Sequence, residues 1–146
     1  GYAPAQYKFG ALYASGRGVE KSPAQALRWY LRSAKQGYAP AQHEVAGLYG
    51  SGQGVKQDLA EAARWYRRAA QQGHVPAQYS LGLMYYNGQG VRQDNVQAHL
   101  WFSLAAEGGA MEAVTQRDVV TKLMSPEDIT KAEQLASKWR AARPAP

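Results

Sequence analysis

Residues 37–72 read GYAPAQHEVAGLYGSGQGVKQDLAEAARWYRRAAQQ, and the same pattern stands 36 residues earlier and 36 residues later in the chain. Glycine, glutamine, tyrosine, alanine and tryptophan return in register. A fixed period of about 20 to 50 residues is typical of solenoid proteins, whose stacked units present an extended binding surface. The period therefore favours recognition over chemistry. It divides the chain into full repeats at 1–36, 37–72 and 73–108, which we call repeats 1, 2 and 3.

Each repeat is predicted to contain two helices joined by a glycine turn. In repeat 2, apolar or small side chains at Ala41, Val45 and Leu48 follow helical spacing, which predicts a first helix over roughly residues 39–50. Gly52 and Gly54 end this helix, because glycine readily takes the positive φ of a helix cap or tight turn. We therefore expect an all-α solenoid of antiparallel helix pairs.

A capping box marks the start of each second helix, which ends at the glycine that opens the next repeat. The N-cap residues are Ser22, Asp58 and Asp94, and the residues three positions later are Gln25, Glu61 and Gln97. On the second helix we place the tryptophan at Trp29 and its repeat equivalents in the core. A small residue recurs on the first helix at Gly10, Ala46 and Gly82, where we expect that tryptophan ring to approach. The first-helix core set is predicted to be Ala5, Phe9, Leu12 and Tyr13.

The last part of the chain departs from the pattern. Residues 109–140 are predicted to form a degenerate repeat whose helix pair caps the solenoid and covers Leu100 and Leu104. Residues 141–146 are expected to form a frayed tail. No comparable cap precedes Gly1, so we expect the chain to be part of a longer array. Repeat 1 should then expose apolar surface, through which the chain could self-associate.

Composition excludes several classes of protein. The chain has no cysteine and no apolar stretch long enough to span a membrane. Its net charge is +6, and four arginines of the second helices fall on one flank: Arg28, Arg32, Arg64 and Arg68. This flank is either a solvated outer face or a site for a polyanion. No base-reading motif accompanies the charge, so a nucleic-acid partner is not expected.

No catalytic, cofactor or metal site is expected from the motifs. His43 and Glu44 begin like a zinc-protease helix, but Gly47 stands where the second zinc ligand would be. His74 and His99 replace other residue types at their repeat positions, and neither has a partner at metal-ligand spacing. The glycine pairs resemble a phosphate loop only in part, because the dinucleotide fingerprint needs a preceding strand and a third glycine.

The repeat resembles the Sel-one-like repeat, a relative of the tetratricopeptide repeat. The match covers residues 1–108 strongly and 109–140 weakly, and in repeat 2 it is carried by residues such as Ala41, Gln42, Tyr49, Gly52, Gly54, Val55, Asp58, Ala62, Trp65, Tyr66 and Gly73. The resemblance implies a right-handed solenoid whose first helices line a concave groove and which acts as an adaptor for protein partners. Bacterial members are often exported, which points to the periplasm or cell envelope. Some carry a cysteine pair in each unit, and this chain has none.

The side chains that differ between repeats indicate where a partner would bind. On the first helices the varying positions lie on one face, away from the core set. The candidate binding residues are Tyr7, Lys8, Ala11, His43, Glu44, Tyr79, Leu83 and Tyr86. The last group, Tyr79, Leu83 and Tyr86, forms an apolar end suited to anchoring a partner, or alternatively packs between neighbouring helices. The leading hypothesis is a protein or peptide scaffold; the alternative is a polyanion or cell-wall glycan module using the arginine flank.

Overall fold

The computed structural model describes residues 1–143. These residues form eight α-helices and no strand, and each full repeat contributes one helix pair. The helices are α1 (Ala3–Ser15), α2 (Pro23–Lys35), α3 (Ala39–Ser51), α4 (Leu59–Gln71), α5 (Val75–Asn87), α6 (Asn95–Glu107), α7 (Met111–Thr121) and α8 (Pro126–Ala142). The predicted helix pairs are therefore present in all three repeats. From α1 to α6 each helix packs against the next along the chain, and α7 and α8 both pack on α6.

The helix ends have the turns and caps that the sequence predicts, with one difference in the capping box. The first helices end at a left-handed glycine; at Gly52, for example, φ is 72° and the amide donates to the carbonyl of Leu48. At the second helices the Asp58 side chain accepts from the amide of Glu61 at 3.0 Å. The reciprocal arm of the capping box is replaced, because the Asp58 amide donates to the carbonyl of Tyr49 at 2.9 Å. This bond ties the start of α4 to the end of α3.

The recurring glutamine and the second loop glycine join successive repeats. Buried Gln42 donates through Nε2 to the carbonyl of Ala34 in the preceding repeat at 3.2 Å, and Gln78 does the same to Ala70. A Cβ added at Gly90 would clash with the backbone oxygen of Leu59, so the loop of repeat 3 touches the start of α4 in repeat 2. These contacts explain why both residue types recur.

The expectation that a tryptophan approaches the small position of the first helix is wrong. The ring that lies there belongs to the next residue of the second helix: Tyr30 faces Gly10, and Phe102 faces Gly82. A Cβ at Gly10 would come within 2.6 Å of the Tyr30 ring. Adjacent residues lie only about 100° apart around a helix, so the repeat pattern did not separate the tryptophan from the residue that follows it.

The predicted core of α1 is also partly wrong. Phe9 is 50% exposed and Leu12 is 38% exposed, whereas Val45 and Leu81, which are equivalent to Phe9, are fully buried. In repeats 2 and 3 this face meets the preceding repeat, and α1 has no such neighbour in the structure.

The two positions expected to lie beneath the C-terminal helix pair are buried. Leu100 and Leu104 are 6% and 4% exposed and share a core cluster with Ala113 of α7 and Ala136 of α8. Helix α8 continues to Ala142, so residues 141 and 142 are helical rather than tail, and residues 144–146 of the predicted tail lie outside the described residues.

Candidate partner-binding surface

One position of the first helix contacts the same ring of the second helix in every repeat. Tyr7 lies 5.5 Å from Tyr30 between ring centroids. The equivalent distances are 5.4 Å between His43 and Tyr66 and 5.8 Å between Tyr79 and Phe102. The residue that varies between repeats therefore rests on an aromatic ring that the scaffold supplies.

The same position also reaches the residue that precedes the next first helix. The Tyr7 and Tyr38 ring centroids are 5.5 Å apart, and those of His43 and His74 are 5.3 Å apart. Tyr38 and His74 are the N-cap residues of α3 and α5. Each junction between repeats thus holds three aromatic rings. We call Tyr7, Tyr30 and Tyr38 the first triad, and His43, Tyr66 and His74 the second triad.

The two charged candidates lie in different surroundings. The Glu44 side chain is 41% exposed, and its carboxylate lies 3.8 Å from the Nδ1 atom of His43. Lys8 is exposed and lines a shallow apolar depression of about 330 Å³ with Ala5, Phe9 and Leu12. Lys8 therefore lies toward the uncovered face of α1, while Glu44 lies among the aromatic rings.

The predicted apolar end is half-buried. Tyr79, Leu83 and Tyr86 all pack against the core cluster of repeat 3. Leu83 also lines a cavity of about 230 Å³ with Gly50 and Tyr66, and this cavity opens where repeat 2 has glycine in place of a larger side chain. Ala11 is half-buried on α1. We call the surface of α1, α3 and α5 that carries the two triads, Glu44, Tyr79, Leu83 and Tyr86 the first-helix surface.

Burial and the charge of Glu44 act together on the triads. Burial raises the pKa of Tyr7 and of Tyr30, and the Glu44 carboxylate raises both further. Burial also raises the pKa of Tyr66, where a hydrogen bond with Ser80 lowers it and Glu44 again raises it. The pKa of His74 is lowered by burial and by His43, and Glu44 opposes that shift. Glu44 thus acts on members of both triads.

Four members of the triads were not among the predicted binding residues. The first-helix ring of each triad lies 23 residues from one partner and 31 residues from the other, and these separations follow no simple helical spacing. A signal was present in the repeats: Tyr7 and Tyr38 are both tyrosine, while their equivalents His43 and His74 are both histidine. Paired changes of this kind mark positions in contact.

The arginine flank is exposed and is used in part by the protein itself. The guanidinium of Arg32 lies 4.8 Å from the Trp29 ring centroid, and that of Arg68 lies 4.6 Å from Trp65. Arg64 pairs with Glu61 at 2.7 Å. Arg28 is exposed without such a contact among the described residues. The flank therefore covers tryptophan rings in addition to carrying charge.

Within residues 1–143 no group of three or more histidine, aspartate or glutamate side chains is arranged to hold a metal ion. No helix in that range combines the length and apolar character needed to cross a bilayer.

A family model for the Sel1 repeat matches residues 3–38, 39–74 and 75–109. The chain belongs to the Sel1 repeat family. The resemblance inferred from the repeat pattern is thereby confirmed, and so is the all-α repeat solenoid. No functionally curated protein is detectably similar to the chain.

Several solved structures of bacterial proteins are similar to this one. A protective antigen of uropathogenic Escherichia coli with an SLR fold is 42% identical, with a TM-score of 0.75 over 76% of this chain and 24% of its own. A Sel1 repeat protein from Oxalobacter formigenes is 37% identical, with a TM-score of 0.79 over 80% of this chain and 48% of its own. Cysteine-rich protein B of Helicobacter pylori, at 21% identity and a TM-score of 0.64 over 77% of this chain and 87% of its own, shares the fold. The chain spans less than half of the first two proteins. Sel1 repeats commonly serve as protein-interaction scaffolds.

Proposed function

We propose that this chain is a non-catalytic scaffold that binds a protein or peptide partner on its first-helix surface. The observation that carries the proposal is the pair of aromatic triads at the two junctions between full repeats. Tyr30 is buried, whereas the partly exposed members Tyr7, Tyr38, His43 and His74 lie at positions whose side chains differ from repeat to repeat, while the positions that hold the helices together recur.

The composition of this surface suits protein recognition. Tyrosine is enriched among residues that dominate binding energy, because its ring buries a large area and its hydroxyl keeps a polar contact. The cavity beside Leu83 adds an apolar recess of about 230 Å³ next to the second triad. A peptide lying across α1, α3 and α5 would meet rings, a carboxylate and this recess in succession.

Two features of the architecture are part of the same proposal. The solenoid is right-handed with its first helices on the concave side, as the family resemblance implies. Helices α7 and α8 act as the C-terminal cap, which is supported by the burial of Leu100 and Leu104 beneath them.

Matched variants test the binding surface. The triple variant Tyr79→Ser, Leu83→Ala, Tyr86→Ser removes its apolar end, and the variant Arg28→Gln, Arg32→Gln, Arg64→Gln, Arg68→Gln removes the basic flank. Proteins captured by each from a lysate of the source organism are quantified by mass spectrometry. We expect the triple variant to lose the partner, since anchors of this kind each carry about 2 kcal/mol or more. Retention by the triple variant and loss by the arginine variant would reverse the assignment.

Because Tyr79, Leu83 and Tyr86 pack on the core, a second variant separates binding from folding. Gly47 is half-buried on α3, and a Cβ there would meet only the Tyr66 hydroxyl, at 3.7 Å. Gly47→Leu therefore adds bulk to the first-helix surface at a position where the added Cβ makes only an ordinary contact. It should weaken capture while circular dichroism shows an unchanged helix content and an equal or higher melting temperature.

The exposure of Arg28 and its neighbours favours one alternative, the binding of a polyanion or cell-wall glycan on the basic flank. Such binding weakens steeply as salt rises, whereas binding to an aromatic surface does not. The affinity for the captured partner, measured at low and at high salt, therefore shows whether the partner binds the basic flank or the first-helix surface.

The uncovered face of α1 supports a further contact, self-association of this 146-residue chain. Phe9 and Leu12 are exposed there beside the depression of about 330 Å³. We propose that two copies bury these side chains against each other. Sedimentation velocity across a range of concentrations should show a dimer that Phe9→Ser with Leu12→Ser abolishes; a monomer at every concentration would exclude it.

A further inference from the structure

Glu44 has an unusual place among the charged residues of the chain. Helices α1, α3 and α5 together carry only two lysine, arginine, aspartate or glutamate side chains, Lys8 and Glu44. Within residues 1–143, no lysine or arginine nitrogen lies within 4 Å of the Glu44 carboxylate. In a chain with a net charge of +6, the first-helix surface therefore presents an uncompensated negative charge.

The surroundings of this carboxylate are aromatic. Glu44 acts electrostatically on Tyr7 and Tyr30 of the first triad and on Tyr66 and His74 of the second. It is adjacent in sequence to His43, whose ring contacts two members of the second triad. The Glu44 carboxylate lies 3.8 Å from the Nδ1 atom of His43 in the second triad, and its side chain is 41% exposed to solvent.

Resting on the proposed function, we propose that Glu44 and the two triads form the site for a cationic side chain, lysine or arginine, of the partner. The face of an aromatic ring is electron-rich and attracts a cation. A carboxylate adds a charge-assisted hydrogen bond. The planar guanidinium of arginine can stack on a ring and bond the carboxylate at the same time. The site gives the partner a fixed register, since the positions equivalent to Glu44 hold Lys8 in repeat 1 and Ser80 in repeat 3.

Charge complementarity supports this occupant over an acidic one. The cationic residues of repeats 1 and 2 lie largely on the second helices, including Arg28, Arg32, Arg64 and Arg68. A basic segment is repelled by that flank and attracted to Glu44. An acidic segment would be drawn to the flank and repelled from the triads.

Blocked tripeptides test the site directly. Acetyl-Gly-Arg-Gly-amide is titrated into the ¹⁵N-labelled chain and followed by NMR, with the citrulline analogue as the uncharged match. We expect saturable shifts at the amides of His43, Glu44 and Gly47 for the arginine peptide, and affinity about tenfold lower for citrulline. Equal binding of both peptides, or no saturable shift at these amides, would overturn the proposal.

Two variants complete the test. Glu44→Gln should reduce the affinity for the arginine peptide about tenfold, as expected for the loss of one charge-assisted bond. Glu61→Gln, which removes an acidic side chain that pairs with Arg64 on α4, should leave the affinity unchanged. An equal effect of the two variants would show that only the net charge matters and would exclude a built site.

The failure of this inference is distinguishable from the failure of the proposed function. If Glu44→Gln still captures the partner with parental affinity while the Tyr79, Leu83, Tyr86 variant loses it, the first-helix surface binds the partner and the cation site is wrong. If both variants capture the partner as the parent does, the proposed function itself is wrong.

Discussion

Repeat 1 has nearly the same residue types as repeats 2 and 3, but no preceding repeat packs against it in the structure. Trp65 and Trp101 are 6% and 4% exposed, whereas Trp29 is only partly buried and rests on the exposed ring of Phe9 at 5.1 Å. A Cβ added at Gly18 would meet nothing within 4 Å, although one at Gly90 would lie against the backbone of repeat 2. Identical residues are therefore exposed or buried depending on whether a preceding repeat covers them.

The comparison indicates that the junctions add to the stability of each repeat. Each repeat interface contributes buried rings, a glutamine bridge and a close backbone approach, and a repeat without a preceding neighbour lacks all three. Substitutions at equivalent positions in different repeats should therefore have unequal effects.

The tryptophans should show the largest difference. Trp65→Ala is expected to reduce the free energy of unfolding by about 3 to 5 kcal/mol through loss of a buried ring. Trp29→Ala should cost clearly less, because that ring is already partly exposed. Chemical denaturation of both variants measures the difference, and equal midpoints would contradict the role given to the preceding repeat.

Trp65→Phe serves as a control for this pair. The Trp65 indole Nε1 is buried without a hydrogen-bond partner among the described residues. Loss of the N–H should therefore cost nothing, and only the smaller volume of the ring should lower stability.

The glutamine bridge should give an intermediate effect. Gln78→Ala removes the side-chain donor to the carbonyl of Ala70, which keeps its bond from the Gly73 amide, so the expected cost is about 0.5 to 1.5 kcal/mol. Gln6 stands at the equivalent position with no preceding carbonyl to reach, so Gln6→Ala should cost less. A larger loss for Gln6→Ala would show that its bond to Gln36 matters more than the bond between repeats.

The sequence allowed much of this architecture to be predicted, and the errors have physical causes. The helix pairs, the left-handed turn at Gly52 and the cap at Asp58 follow from local chemistry, so they could be inferred from short windows. Exposed apolar surface was expected for repeat 1, but helical spacing placed Phe9 itself in the core, because its equivalents Val45 and Leu81 are buried only by the repeat that precedes them. The triads were missed because the third member of each, Tyr38 or His74, meets the other two only when two repeats stack. The binding role of Tyr79, Leu83 and Tyr86 stays a prediction.

The cap at α4 should give a smaller and local effect. Asp58→Ala removes the side-chain acceptor of the Glu61 amide and should cost about 1 kcal/mol. Thermal or urea denaturation measures this cost, and the first-helix surface should bind as before. A midpoint identical to that of the parent would show that water replaces the cap without loss.

The smallest effect is a pH dependence in repeat 3. His99 is 6% exposed, stands where repeat 1 has Leu27, and faces Arg117 and Glu133 across a cavity of about 490 Å³ between α6, α7 and α8. Burial lowers its pKa, Arg117 lowers it further, and Glu133 partly opposes both. Neutral His99 is therefore favoured in the folded state.

The sign of the effect follows from the lowered pKa. Stability is complete above the unfolded pKa of about 6.5 and declines as pH falls below it, because the unfolded histidine binds the proton more readily. His99→Leu should flatten this decline in denaturation experiments between pH 7 and pH 5, and the remainder should come from His74. An unchanged slope would show that His99 is protonated at little cost in the folded chain.

The central claim is that the varying residues of the first helices contact the partner. Site-specific photo-crosslinking tests it most directly: the photoreactive analogue p-benzoylphenylalanine is placed at Tyr7, at Tyr86, at Arg28 or at Arg64, and each protein is irradiated in a lysate of the source organism. We predict one common crosslinked partner from the Tyr7 and Tyr86 positions and none from Arg28 and Arg64. Crosslinks from the arginine positions alone would contradict the account and assign binding to the basic flank.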